Sequence, residues 1–92
     1  MFTTIKNSNI TNNQASDTLI GDVTLLENSL IKNNKAKQIT YNWAGGTITY
    51  STFQNNTASE TIICSLCGQG SGLSKLAYCN FIGNKGYLVT EK

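Results

Sequence analysis

The chain has 92 residues, with seven Lys or Arg, five Asp or Glu and no His, which gives a formal net charge of +2. This length fits one domain, and the weak, scattered positive charge excludes the clustered basic surface typical of nucleic-acid-binding domains. No apolar run is long enough for a membrane-spanning helix, and the opening MFTTIKNSNI lacks the apolar core of a signal peptide. We therefore expect either a cytosolic protein or a piece of a longer secreted chain.

Four stretches of the chain share one eleven-residue pattern. They are IKNSNITNNQA at 5–15, LENSLIKNNKA at 26–36, ITYSTFQNNTA at 48–58 and LAYCNFIGNKG at 76–86. Aligned without gaps, they have Ile or Leu first, Ser or Cys fourth, Ile or Phe sixth, Asn ninth and Ala or Gly eleventh. The stretches start 21, 22 and then 28 residues apart, a period typical of a solenoid whose units cannot bury their apolar face alone.

Each unit is predicted to be one coil of short strands joined by tight turns. The segments are rich in Thr, Ile, Val and Tyr, which favour strands, and Gly and Asn between them favour turns. Helical repeats need about 33 residues or more, so they do not fit this period. We therefore predict an all-β fold, a right-handed parallel β-helix of about three to four coils of 21–28 residues, with residues 1–92 as a single domain or a fragment of one.

A leucine-rich repeat is the alternative solenoid, because its template L-x-x-L-x-L-x-x-N-x-L overlaps the pattern. That fold needs large apolar residues at the fourth and eleventh positions, where this chain has Ser or Cys and Ala or Gly. The missing side chains would empty its core at about 2–5 kcal/mol for each absent Leu. The small residues therefore favour the narrow β-helix.

The apolar positions are predicted to stack into two internal lines, and the ninth-position Asn to form a ladder at a corner. Asn tolerates the left-handed backbone that a tight corner needs, and amides stacked about 4.8 Å apart can bond one another. The two core lines are Ile5, Leu26, Ile48 and Leu76, and Ile10, Ile31, Phe53 and Phe81. The ladder residues are Asn13, Asn34, Asn56 and Asn84.

The pattern I-x-N-S-x-I-x-N-N-x-A resembles the parallel β-helix repeat of pectate-lyase-like proteins. FQNNTA at 53–58 is similar to the F-x-x-N-x-A motif of polymorphic outer-membrane proteins, and Gly45-Gly46-Thr47-Ile48 is similar to their G-G-A-I, with Thr replacing Ala. The resemblance implies a surface or secreted protein with an adhesin-like or structural role. It specifies the fold better than the function, since this fold carries lyases, hydrolases, adhesins and structural spikes.

The side chains offer no pattern typical of an active site, so we predict a non-enzymatic segment without cofactors. No two of the five acids lie within four residues of each other, whereas hydrolases on this fold need paired carboxylates and pectate lyases need clustered acids for calcium. The alternative function is a fragment of a carbohydrate-active β-helix, a polysaccharide lyase or hydrolase, with its catalytic coils elsewhere.

The three cysteines are predicted to be free thiols, with Cys79 in the small-residue position of the repeat. A Cys64–Cys67 disulfide is the alternative, and a structural zinc site lacks its fourth ligand. Residues of about 64–74 form an insertion, and solenoid insertions often lie on a binding face. The candidate binding loop is Cys67, Gly68, Gln69, Gly70, Ser71 and Gly72. Trp43 is predicted to pack on a coil, with sugar stacking as the alternative.

The expected partners are a glycan or another protein, with no nucleic acid and no direct membrane insertion. A β-helix of this size leaves unpaired strand edges at both end coils, and such edges recruit other strands. Neither end of the sequence has the polar cap of a repeat array. We therefore expect end-to-end self-association or a place in a longer array.

Overall fold

The computed structural model describes residues 3–42, 44–65 and 72–91. Within these ranges the secondary structure consists of twelve β-strands without a helix. Three successive strands make one coil, so the strands build about four coils. The strands are β1 (Thr3–Lys6), β2 (Asn9–Thr11), β3 (Thr18–Ile20), β4 (Val23–Glu27), β5 (Leu30–Lys32), β6 (Lys35–Asn42), β7 (Ala44–Thr49), β8 (Thr52–Gln54), β9 (Thr57–Ser65), β10 (Gly72–Ala77), β11 (Asn80–Ile82) and β12 (Lys85–Glu91).

Equivalent strands of successive coils pair in parallel and form three four-stranded sheets. Sheet 1 has the order β1-β4-β7-β10, sheet 2 the order β2-β5-β8-β11 and sheet 3 the order β3-β6-β9-β12. The prediction of an all-β parallel solenoid is therefore confirmed. The leucine-rich repeat is wrong, because that fold has a strand plus a helix or 3₁₀ turn in each repeat, whereas each coil here has three strands.

The two predicted core lines lie in register inside sheets 1 and 2. Leu26 pairs with Ile48 in sheet 1, and Ile31 pairs with Phe53 in sheet 2. These side chains of the two middle coils are fully buried, while their counterparts in the first and fourth coils are partly buried. The rings of Phe53 and Phe81 stack at 5.2 Å with a 13° angle between their planes. The middle coils therefore supply most of the apolar burial.

Sheet 3 contributes a further part of the core that lies beyond the eleven-residue pattern. Its strands β6 and β9 have eight and nine residues and are the longest that the structure describes. Ile39, Ile62 and Ile63 are fully buried there. Within the described residues there is no helix with the length and apolar character needed to cross a bilayer.

Of the connections between the sheets, two are regular corners that begin with a residue of positive φ in every coil. In the first corner, between sheets 1 and 2, Asn7 and Asn28 have φ of 51°, and Tyr50 and Tyr78 have φ of 53° and 56°. The second corner, between sheets 2 and 3, begins with Asn12, Asn33, Asn55 and Gly83, whose φ angles are between 54° and 66°.

The left-handed residue of the second corner is not the one predicted from the sequence. We expected it at the ladder Asn, but in each NN pair it is the first Asn that has positive φ. The first residue thereby turns the chain from sheet 2 into sheet 3, and the amide of the second bonds the next coil from inside the solenoid. The two Asn of each pair thus have different roles.

Candidate functional site

The ladder residues form a continuous chain of hydrogen bonds through the solenoid. The backbone N–H and the Nδ2 of Asn34 both donate to Oδ1 of Asn56, each over 3.0 Å. Asn56 donates in the same way to Oδ1 of Asn84 over 2.9 and 3.0 Å, and Asn13 donates to Oδ1 of Asn34 over 3.0 and 3.1 Å. Asn34 and Asn56 are buried. These four Asn therefore hold the coils together, and the two buried ones, Asn34 and Asn56, are not available to a ligand.

The fourth position of the repeat forms a second internal column, built from serine hydroxyls. The backbone N–H of Ser8 donates to Oγ of Ser29 over 3.2 Å, and that of Ser29 donates to Oγ of Ser51 over 3.3 Å. Each of these hydroxyls in turn donates to the carbonyl two residues earlier, over 2.7–3.0 Å. Both corners therefore combine an outward left-handed residue with an inward polar one.

Cys79 continues the serine column in the fourth coil as a free thiol. Its Sγ donates to the carbonyl of Ala77 over 3.3 Å. Burial raises the pKa of the Cys79 thiol, although backbone hydrogen bonds from Ser51 and to Ala77 act in the opposite direction. The raised pKa favours the neutral thiol, which is a poor nucleophile, and Cys79 packs against the apolar core.

The prediction of three free thiols is wrong for Cys64, which is disulfide-bonded. Cys64 is fully buried in β9, and the amide of Gln38 donates to its sulfur over 3.5 Å. Metal binding needs the thiolate, so this sulfur is not a metal ligand. Within 3–42, 44–65 and 72–91, no group of three or more His, Cys, Asp or Glu is arranged to hold a metal ion.

The candidate binding loop falls almost wholly outside the described residues, as does Trp43. Of the predicted loop, Gly72 alone is described, as the first residue of β10. The outward positions of the coils are the remaining candidates for a binding surface. Two features stand out there, a pair of tyrosines at the first corner and a polar groove at the second.

The tyrosine stack consists of Tyr50 and Tyr78, which occupy the left-handed position of the first corner in the third and fourth coils. Their ring centroids are 4.9 Å apart and their planes differ by 10°. Both side chains are exposed, Tyr50 by 58% and Tyr78 by 70%. In the first two coils the same position holds Asn7 and Asn28, and Nδ2 of Asn28 donates to Oδ1 of Asn7 over 2.7 Å. This corner therefore displays one line of stacked amides and rings to the solvent.

The polar groove lies outside the start of sheet 3 and has a volume of about 230 Å³. Its two lysines differ in environment, since Nζ of Lys37 lies 3.8 Å from a carboxylate oxygen of Glu60. The groove is smaller than the roughly 300–1,000 Å³ typical of ligand pockets, so it is the weaker of the two candidates. The polar residues that line it are Gln14, Ser16, Lys35, Lys37, Thr57 and Ser59.

The sequence alone indicated neither surface. The tyrosines stand in the third position of the repeat, which reads Asn, Asn, Tyr and Tyr in chain order. The residue type at that position varies along the sequence, but the strand register places all four side chains in one outward line. The signal available in the sequence was the recurrence of Tyr exactly one repeat apart.

Comparisons with protein-family models, with curated proteins and with solved structures find no match to this chain.

Proposed function

We propose that this chain is a non-enzymatic segment of a surface or secreted protein, where it acts as a rigid recognition or structural module of the adhesin type. The proposal rests on the different roles of the inward and outward side chains in each coil. Inward polar side chains such as Asn34 and Asn56 are committed to bonds between coils, while outward positions form aligned columns such as the tyrosine stack. A rigid scaffold of this kind presents fixed spacings to a partner at a low entropic cost.

The disulfide of Cys64 supports a compartment outside the cytosol. Disulfides persist in oxidising environments and are rare in cytosolic proteins. Cys64 is fully buried and disulfide-bonded, whereas Cys79 is a free thiol. Protein from its native source is therefore expected to take one alkyl group per chain when it is unfolded without a reductant, and three after reduction. Three alkyl groups without reduction would contradict the proposed location.

The proposal extends the resemblance to pectate-lyase-like repeats and to polymorphic outer-membrane proteins. In the F-x-x-N-x-A stretch, the three fixed residues Phe53, Asn56 and Ala58 are all buried. The motif is thus a set of inward residues that any coil of this shape needs. This supports a similarity to those proteins in the architecture of the coil. A specific function would then depend on the outward residues, whose types the motif does not fix.

The test of the function pairs binding with turnover in one sample. The purified chain is mixed with insoluble neutral polysaccharides and with polygalacturonate, and both depletion of protein and release of sugar ends are measured. We expect depletion without release. Release of reducing ends or of unsaturated uronates would contradict the proposal and favour the carbohydrate-active alternative.

We also propose that the open edges of the first and fourth coils accept a further coil, from another copy or from a longer array. Within the described residues, Oδ1 of Asn13 accepts no hydrogen bond and the backbone N–H of Asn84 donates none. The Asn84 N–H is the donor, and the Asn13 Oδ1 the acceptor, that one further ladder hydrogen bond between coils would use. Sedimentation over a concentration series tests this, and a monomer with exchange-protected amides in both end coils would contradict it.

A further inference from the structure

The polar groove lies where β-bulges interrupt the regular pairing of sheet 3. One residue of β6, Lys37, lies opposite two residues of β9, Ser59 and Glu60. The first coil has the same excess, since three residues separate Gln14 from Thr18 and two separate their partners in β6. Bulges are over-represented next to active sites, where they change the direction of side chains. Because the groove lies on the lateral surface of the first three coils, a further coil at either end of the solenoid would not cover it.

The register of sheet 3 brings three exposed lysines to this surface. Lys35 and Lys37 line the groove on the outward side of β6. Lys85 lies 50 residues beyond Lys35 in the sequence, but both pair with Thr57, one from each side. Two strand spacings therefore place Lys35 and Lys85 in one outward column, with backbones about 9.6 Å apart.

Positive charge exceeds negative charge around the groove. Glu60 lies 3.8 Å from Nζ of Lys37, whereas Lys35 and Lys85 form no ion pair with any residue of 3–42, 44–65 or 72–91. Asp17, the acidic residue of the first-coil bulge, forms none with these lysines either. A concave surface lined by one sign of charge raises the local concentration of ligands of the opposite sign. The groove therefore matches an anionic ligand.

The remaining polar groups of the groove suit an oxyanion with several oxygens. Thr57 and Ser59 contribute hydroxyls, and Gln14 contributes an amide. Lysine binds anions as a point charge, whereas the planar fork of arginine matches carboxylates, and this chain has no arginine. Single donors from three coils can reach a tetrahedral group, whose oxygens point in different directions. A volume of about 230 Å³ is small for a drug-sized ligand but is sufficient for one such group.

We propose that the groove binds a sulfate group of a sulfated glycan, with Lys35 as its main cationic contact. The proposed location outside the cytosol favours a sulfate ester over a phosphate, because sulfated polysaccharides are exposed at cell surfaces. The spacing of about 9.6 Å between Lys35 and Lys85 is close to the length of one disaccharide, so the two lysines can contact sulfates on successive disaccharides. This inference rests on the proposed recognition function and names its ligand class.

The test uses charge substitutions that are matched in size and in net charge. Lys35→Gln removes the unpaired charge of the groove, and Lys75→Gln is the control, because Lys75 is an exposed lysine on β10 of sheet 1. Glu60→Gln removes the carboxylate beside Lys37 but keeps an acceptor for the amide of Gln38. The probes are a heparin-derived hexasaccharide and its desulfated form, which keeps the carboxylates. Each is titrated into the isotopically labelled chain and followed by NMR.

We expect the sulfated hexasaccharide to shift the backbone amides of Lys35, Thr57 and Ser59, and the desulfated form to bind at least about tenfold more weakly. Lys35→Gln should weaken binding at least about fivefold, which corresponds to about 1 kcal/mol. Lys75→Gln should stay within about twofold of wild type. Glu60→Gln should tighten binding about two- to threefold, because it leaves Lys37 without its competing carboxylate. A purely structural role of Glu60 would not produce tighter binding.

Three results would overturn the proposal. They are no shift at the groove, equal losses in Lys35→Gln and Lys75→Gln, or tighter binding of a doubly phosphorylated serine peptide than of the hexasaccharide. Equal losses would mean that net charge alone attracts the glycan. Each result leaves the recognition function standing if the chain binds another polysaccharide without turnover. Release of sugar ends would refute the recognition function even if the hexasaccharide binds, so the two proposals fail separately.

Discussion

Asn56→Ala is expected to be among the most damaging substitutions of a polar residue, because Asn56 is fully buried and its side chain makes four hydrogen bonds. Its Oδ1 accepts from the backbone N–H and from Nδ2 of Asn34, and its Nδ2 donates to the carbonyl of Ile31 and to Oδ1 of Asn84. The substitution leaves the backbone N–H of Asn34 without its acceptor inside the solenoid. A buried unsatisfied donor costs about 1–3 kcal/mol, and the three other bonds bring the expected total to roughly 3–5 kcal/mol.

This loss is measurable by urea denaturation of the variant and the wild-type chain. A domain of this length is typically stable by about 5–14 kcal/mol, so the variant should still fold. With a slope of about 1–3 kcal/mol per molar urea, the midpoint should fall by on the order of 2 M. Asn9→Ala, at an exposed position on β2, is the control and should stay within about 0.5 kcal/mol of wild type. Equal midpoints for Asn56→Ala and Asn9→Ala would refute the ladder.

Four further substitutions, at three positions, test the core, the serine column and a glycine of positive φ by the same assay. Phe53→Ala removes a fully buried ring that stacks on Phe81 and should cost about 3–5 kcal/mol; a loss below 1 kcal/mol would contradict the register. Cys79→Ser should be neutral within about 1 kcal/mol, whereas Cys79→Val should cost about 1–3 kcal/mol because it removes the acceptor for the Ser51 N–H. Gly86→Ala should destabilise by about 1–3 kcal/mol, since φ is 111° and the new Cβ would lie 2.6 Å from the carbonyl oxygen of Ala58; a gain in stability would contradict this.

At Gly86 the repeat alignment alone does not indicate which side chain the position can accommodate. The eleventh position holds Ala in the first three repeats and Gly86 in the fourth, so the alignment suggests that Ala would fit there. The pairing of β12 with β9 shifts in register between Lys85 and Tyr87, and the backbone at Gly86 takes a positive φ. An alignment describes residue types, whereas the fit of a methyl group depends on the local backbone.

The period and the inward positions of the coil could be read from the sequence because both follow from burial. Ile31 and Phe53 recur at one position of the repeat, and any solenoid must place such a position inside. The buried part of sheet 3 was missed because Ile39, Ile62 and Ile63 follow the end of the repeated pattern, where spacing changes from coil to coil. The sequence shows that these residues are apolar, but it does not show which of them stack on one another in successive coils.

The candidate surface could not be predicted, because outward residues are free to differ between coils. Tyr50 and Tyr78 lie 28 residues apart, and only the register brings their rings together. The free thiol predicted at Cys64 rested on the absence of a redox motif around it, whereas a structural disulfide needs no such motif.

Amide hydrogen exchange at the ladder corners tests most directly the claim that internal side chains hold the coils in register. The backbone N–H groups of Asn34 and Asn56 donate to side-chain oxygens of the next coil, whereas turn amides that face water exchange quickly. We expect both protons to exchange as slowly as the most protected amides of β5 and β8, because they open only when the domain unfolds. Exchange of Asn34 and Asn56 at the rate of exposed turn amides would contradict the account.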